Sequence, residues 1–243
     1  SALGHGGGYR HVYFKTATML WNLQYVLGDS LFRAAMSHYF NQWKFCHPYF
    51  EDFRNSIIQF THVDLNWFFD EWMETTKNID YKISSVKKVA GTSDKYEITF
   101  KRKGRMQMPI DFSVETKDGK TSNYTIPNTW YPKKSDATVL PKWYGWDKLE
   151  STYTATVTSS SKIKNVVIDP SNRLADIYMP DNSWKCSTKW KFDSQISNSN
   201  DWKHYIVKWR PDLWYNAVDG IKPGFHFEGD YMKWRHIFDL NVW

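Results

Sequence analysis

The sequence predicts an α+β fold: a helical subdomain, then an antiparallel β-sandwich, then a further β-rich segment. Three observations carry this. Apolar residues recur at spacings of three and four through the first 77 residues, one face of a helix at a time. After about Asn78 the period drops to two. Aromatic residues make up 18% of the chain, with 14 tryptophans, a balance that favours sheet over a plain helical bundle. The expected segments are 1–77 helical, 78–180 β-sandwich and 181–243 a β-rich extension.

Four helices are expected in the first segment. Between Val12 and Leu27, the residues Tyr13, Ala17, Leu20, Leu23 and Leu27 fall on one face. Gly28 supplies a stop, and Asp29 or Ser30 can cap the next start. The second stripe is Leu31, Ala35, Met36, Tyr39, Phe40 and Trp43. Pro48 precedes the third, with Glu51 and Asp52 in its first turn, where the helix dipole favours acids. Asp64 caps the fourth, built on Leu65, Phe68, Phe69 and Trp72.

Strands follow. Tyr96, Ile98 and Phe100 alternate with polar neighbours, as do Met108, Ile110, Phe112 and Val114. Asp118-Gly119 is a hairpin turn signal leading to Tyr124-Thr125-Ile126. Thr152 to Thr158 and Ile163 to Ile168 continue the pattern, with residues 127–141 a long irregular connection. In the last segment Phe225, Phe227, Gly229 and Tyr231 alternate with charged residues, and Phe238, Leu240 and Val242 with Asp239 and Asn241. Such two-faced strands fit an outer-membrane barrel and equally a sheet packed on a soluble core. Membrane contact through 181–243 therefore stays open, and sixty-odd residues cannot close even an eight-stranded barrel.

The net charge is +6, and the basic excess sits in residues 78–180. Its dense spot, Lys101, Arg102, Lys103 and Arg105, reads as a solvated hairpin tip around Gly104 with charges blunting an edge. No nucleic-acid partner is expected from a single short run flanked by acids. No stretch approaches the 18 apolar residues of a transmembrane helix. Nor does the start read as a signal peptide; it reads as an interior segment of a longer chain. Cys46 and Cys186 stand far apart with no CxxC pair, which argues against a cysteine zinc site; a Cys46–Cys186 disulfide is left open.

Catalytic motifs are sparse. A helical zinc protease needs HExxH, where two imidazoles four apart hold the metal and the glutamate between them activates water. None of the eight histidines is followed by glutamate. His5-Gly6-Gly7-Gly8 has the bare backbone of an oxyanion loop, but no GxSxG elbow accompanies it. Gly6, Gly7, Gly8 and Tyr9 are kept as a flexible loop that can lie beside a substrate. Trp130, Trp143, Tyr144 and Trp146 are the candidates for a sugar-stacking platform, against the alternative of hydrophobic packing.

The run Tyr13-Phe14-Lys15-Thr16, then Met19-Leu20, Leu23, Leu27-Gly28, Phe32 and Tyr39, resembles one place in the aminopeptidase-N-type zinc metallopeptidases, the gluzincins. There a Tyr-x-Lys-Gly segment opens a helix, followed by a leucine-rich run, a Gly-acid turn and a helix ending in tyrosine. Trp43-Lys44-Phe45, His47-Pro48, Asp52-Phe53, Asp64 to Phe68 and Trp72 agree downstream, especially with large envelope-associated members of Bacteroidetes-type bacteria. Thr16 stands where the family has glycine. Residues 78–180, with Met106 to Ile110 and Ile168-Asp169-Pro170, resemble the β-sandwich that follows in that family.

The resemblance implies a C-terminal portion of a peptidase acting on peptide substrates. Tyr13 would be the oxyanion hydrogen-bond donor, since a phenol is a neutral donor whose bond strengthens as charge develops. Zinc would belong to the full-length protein, its ligands and the general base lying in a missing N-terminal half. This chain alone is then expected to be inactive, and the protein to belong to the bacterial cell envelope. The alternatives are a non-enzymatic carbohydrate- or surface-binding module, or an inactive peptidase-like adhesin.

Overall fold

A computed structural model describes residue 8 and residues 10–145, 149–185, 188–194, 201–233 and 235–243. The described chain forms two compact units, Ser1–Ile177 and Tyr178–Trp243.

The first unit begins with a π-helical turn, Arg10–Lys15, running directly into helix α1, Thr16–Leu27. Gly28 ends α1 at φ +81°, donating its N–H to Gln24 O over 2.9 Å, and α2, Asp29–Trp43, starts at once. The αL-side φ explains why glycine stands there. Helix α3, Phe50–Thr61, is opened by Asp52, whose carboxylate accepts the Tyr49 N–H at 2.8 Å. Helix α4 is Asn66–Glu74, and Asp64 accepts the Asn66 N–H at 3.1 Å, as its position in the sequence suggests. Edge-on aromatic contacts knit α2, α3 and α4: Tyr39 meets Phe53 at 4.9 Å, and Phe53 meets Phe69 at 5.9 Å.

Two sheets complete this unit. One orders its strands β1 (Tyr81–Lys88), β2 (Lys95–Arg102) and β6 (Thr152–Thr158). The other runs β5 (Thr138–Val139), β4 (Thr121–Ile126), β3 (Ile110–Thr116) and β7 (Ile163–Ile168). The Asp118-Gly119 hairpin forms between β3 and β4, with Gly119 at φ +85°. The pairing is antiparallel except for β5, which joins β4 in parallel, so the second sheet is mixed. Phe100 of the first sheet and Phe112 of the second meet at 4.8 Å, and both are fully buried. The same core continues through Leu23, Ile57, Leu65 and Phe68 into the helices.

The basic run departs from expectation. Arg102 is 3% exposed, lies 5.5 Å from the Trp143 ring centroid and donates to Leu149 O at 2.9 Å. Lys103 pairs with Asp80 at 3.6 Å, and Gly104 donates to Asp80 O. A Cβ on Gly104 would meet Asn78 O at 2.4 Å. The run is thus no hairpin tip but the end of β2 and a loop seated on the start of β1, with Arg102 buried and Lys101, Lys103 and Arg105 still exposed. The missing Cβ lets it approach that closely.

The second unit opens with a short 3-10 turn, Met179–Asn182, followed by a four-stranded sheet. Strand β8 is Thr188–Phe192, β9 Tyr205–Asn216, β10 Gly220–Tyr231 and β11 Arg235–Val242. Strands β9, β10 and β11 form an antiparallel up-and-down meander, and β8 lies parallel to the first half of β9. Strand β8 ends opposite Trp209, so beyond it β9 is an edge among the described residues, where Pro211 costs no ladder bond on the open side. Cys46 is exposed with a free thiol, and Cys186 lies outside the described residues.

Candidate functional site

Tyr13 stands in the π-helical turn, one residue before Phe14, whose carbonyl accepts the Thr18 hydroxyl at 2.8 Å. A π-turn widens the helix by one residue per turn, and such turns recur where a helix carries a functional side chain. The Tyr13 side chain is 59% exposed, and neither it nor Ala17 packs into the core. The buried face of α1 is instead Met19, Leu23, Val26 and Leu27, together with Asn22 and Tyr25. Val12, Phe14 and Trp21 are also more than half exposed. Of the loop candidates, Gly6, Gly7 and Tyr9 lie outside the described residues, and Gly8 is half-buried.

What fixes the site is the packing of α1 from behind. The buried Asn22 side chain donates to Thr18 O at 2.9 Å and accepts the Ala175 N–H at 3.2 Å. Farther along, the Tyr25 hydroxyl accepts the Asp111 N–H at 2.7 Å. Burial first, and Asp111 and Asp169 second, push the Tyr25 phenol well above its usual range. The Lys133 ammonium lies 3.8 Å from the Tyr25 ring centroid, donates to Tyr25 O at 2.7 Å and meets Asp111 at 2.5 Å. Tyr131 donates its hydroxyl to Leu27 O at 2.9 Å. The 127–141 connection therefore caps the carbonyl end of α1 with a cation and a phenol, as the helix dipole favours.

The α1–α2 elbow carries a further clamp. Asp29 accepts from Gln24 at 3.0 Å and pairs with Arg173. The Arg173 hydrogen bond, helped by Gln24, holds the Asp29 carboxyl below its ordinary value of 3.8. A depressed carboxyl pKa contributes stability above the unfolded value, lost as pH falls through the folded one. Melting temperature measured between pH 2.5 and 6 should therefore drop at the acid end, and Asp29→Asn should reduce that drop. An unchanged profile would show the pair is idle.

Among the described residues, no three His, Cys, Asp or Glu side chains converge as a metal site would require. Glu71 is the buried carboxylate of α4; burial raises its pKa, with the Gln107 N–H at 3.0 Å and Lys77 at 3.3 Å opposing. It staples α4 to the segment before β3. The aromatic platform does not assemble as drawn from the sequence. Trp143 is 4% exposed, donates Nε1–H to Glu150 O at 2.7 Å and packs on Tyr81 and Tyr153. Trp146 lies outside the described residues. Trp130 and Tyr144 are exposed, but the Lys142 ammonium sits 4.2 Å and 4.6 Å from their ring centroids, on the faces a sugar would need.

Residues 9–72 match the family described as Peptidase family M1 domain, a stretch that takes in the π-turn and α1 to α3 and reaches Trp72 in α4. The resemblance to aminopeptidase-N-type metallopeptidases is borne out over that helical segment, which is similar to the M1 peptidase domain. Among solved structures, the chain is similar to aminopeptidase A of Legionella pneumophila in complex with aspartic acid. That likeness has a TM-score of 0.49 at 13% identity and covers 68% of this chain but 17% of that one. The chain thus spans less than a fifth of that enzyme's length. No curated protein matches.

Proposed function

We propose that this chain is the C-terminal portion of an aminopeptidase-type zinc metallopeptidase, with Tyr13 as the donor to the oxyanion of the tetrahedral intermediate. The observation that carries the proposal is the match over residues 9–72, in which Tyr13 stands exposed on a π-turn at the head of a rigidly docked helix. The apolar side chains exposed on this stretch, Val12 and Phe14 next to it in sequence and Trp21 farther along α1, are what a surface shows where another part of a protein covers it. On this reading the zinc ligands and the general base lie outside this chain. The substrate class is peptides, and the location is the bacterial cell envelope, in the manner of the Bacteroidetes-type members.

This chain's own contribution is then the positioning of one phenol. The hydroxyl donates to an oxygen that gains charge during attack on the peptide carbonyl, and the α1 anchoring keeps it from moving away. Purified alone and equilibrated with zinc, the 243-residue chain should hold less than one equivalent and leave aminoacyl reporter substrates uncleaved. Metal analysis after gel filtration and a fluorogenic assay check both. One tightly held equivalent would overturn the assignment of the ligands to another segment.

A further inference from the structure

The β9–β11 meander is built inside out for a water-soluble sheet. Register places Trp209, Pro211, Leu213 and Tyr215 of β9 opposite Phe227, Phe225, Pro223 and Ile221 of β10. Leu240 and Val242 of β11 continue the same side opposite Phe227 and Phe225. Cross-strand partners share a face, so one side of the sheet is apolar from edge to edge. That side is the open one: Leu213 is 67% exposed, Tyr215 68%, Ile221 65%, Phe225 51% and Leu240 52%.

The opposite side carries the charges and is more enclosed at its centre, while Trp214 and Asp239 on it are exposed. His226 and Asp230 are 8% and 6% exposed. Lys208 reaches Glu228 at 3.4 Å and Asp230 at 4.0 Å, and His226 bonds Asn241 at 2.7 Å. A sheet packed on a soluble core does the reverse, burying its apolar side and giving its charges to water. Apolar outward and paired charges inward is the pattern of a membrane β-barrel wall.

The open part of the apolar face has an end: Val207 and Tyr231 are 5% and 1% exposed, with Tyr178 packed on Tyr231 at 5.0 Å, so the exposed strip on β9 runs from Trp209 to Tyr215, about 20 Å along the strand. Toward the covered end, opposite Val207, the Phe238 ring lies against Gly229, where an added Cβ would come within 2.0 Å of it. Glycine covered by a cross-strand aromatic keeps the outer surface smooth and apolar.

We infer that the meander of β9, β10 and β11 is a segment of a membrane-embedded β-barrel wall, its apolar face in contact with the hydrocarbon of a lipid bilayer. Three strands make a wall and not a closed barrel; among the described residues no strand pairs the outer edge of β11, so closure takes further strands. The inference rests on the second unit's own sheet and not on the peptidase reading.

Single spin labels in the full-length polypeptide test it, with Cys46 and Cys186 first replaced by serine. The protein is reconstituted into vesicles of phosphatidylethanolamine and phosphatidylglycerol. Collision rates with oxygen and with a water-soluble nickel chelate are then measured at Trp209→Cys, Arg210→Cys, Asp212→Cys and Leu213→Cys. Positions 209 and 213 should favour oxygen severalfold, and positions 210 and 212 should favour nickel. If any variant misfolds by circular dichroism, Asp239→Cys and Leu240→Cys on β11 read the same alternation. Nickel reaching positions 209 and 213 as readily as 210 and 212 would mean a watery surface and overturn the inference. Exclusion of both reagents from 209 and 213 would mean a protein cover, a second copy included, and overturn it equally. Peptide hydrolysis by the same samples reports separately on the peptidase reading.

Discussion

Phenylalanine at position 13 is expected to lower the turnover of the full-length protein about a hundredfold, the usual loss when one oxyanion donor is removed. The substitution deletes a hydroxyl and keeps the ring. Because the side chain is 59% exposed and outside the core, stability should not change by more than a few tenths of a kcal/mol. A hydrogen bond made chiefly in the transition state lowers kcat and kcat/KM together and leaves KM in place. Steady-state kinetics on an aminoacyl reporter separates these quantities, and a thermal melt checks the fold. A rise in KM with kcat intact would make Tyr13 a substrate-binding residue. Unchanged kinetics would remove it from the reaction.

The position of Tyr13 in a family pattern was legible in the sequence; its π-turn and exposure were not. A stripe of Tyr13, Ala17, Leu20, Leu23 and Leu27 reads as one buried face, yet the face turns within the first helical turns. Leu23 and Leu27 are buried as the stripe predicts, but the extra residue of the π-turn shifts the phase at its start: Tyr13 and Ala17 are exposed, and Met19, Asn22 and Val26 join the buried side.

Strands with unbroken alternation, such as β6 and β7, lie where the pattern puts them. Strand β1 escapes the same test because a register shift between Ile83 and Ser85 breaks its period, and β9 because Pro211 argues against a strand. Arg102 and Trp143 mislead for a different reason. A run of basic residues says solvent and a run of tryptophans says surface, but here the two bury one another at 5.5 Å. Contacts of that kind carry no local signature.

The same holds for the cluster that anchors α1, and there the second large effect is expected. Lys133→Met should destabilise the first unit by about 3 kcal/mol, the lower end for breaking a buried pair. The lysine and Asp111 side chains are 12% and 19% exposed, so water screens them little. Removing the ammonium leaves Asp111 with the Thr125 hydroxyl at 2.8 Å but no counter-charge, and strips Tyr25 O of its donor at the end of α1. For a unit of this size the loss corresponds to a melting temperature lower by roughly 6–12 °C.

Adding Asp111→Asn should recover a good part of the loss, because the charge left uncompensated is then gone. Two independent sites would instead give additive losses. The cycle therefore decides whether the cost is the stranded carboxylate or the lost cap on the helix. A single variant that melts like the parent would show that α1 is held without this cluster. The rigidity invoked for Tyr13 would then have to come from the Asn22 and Asp29 contacts alone.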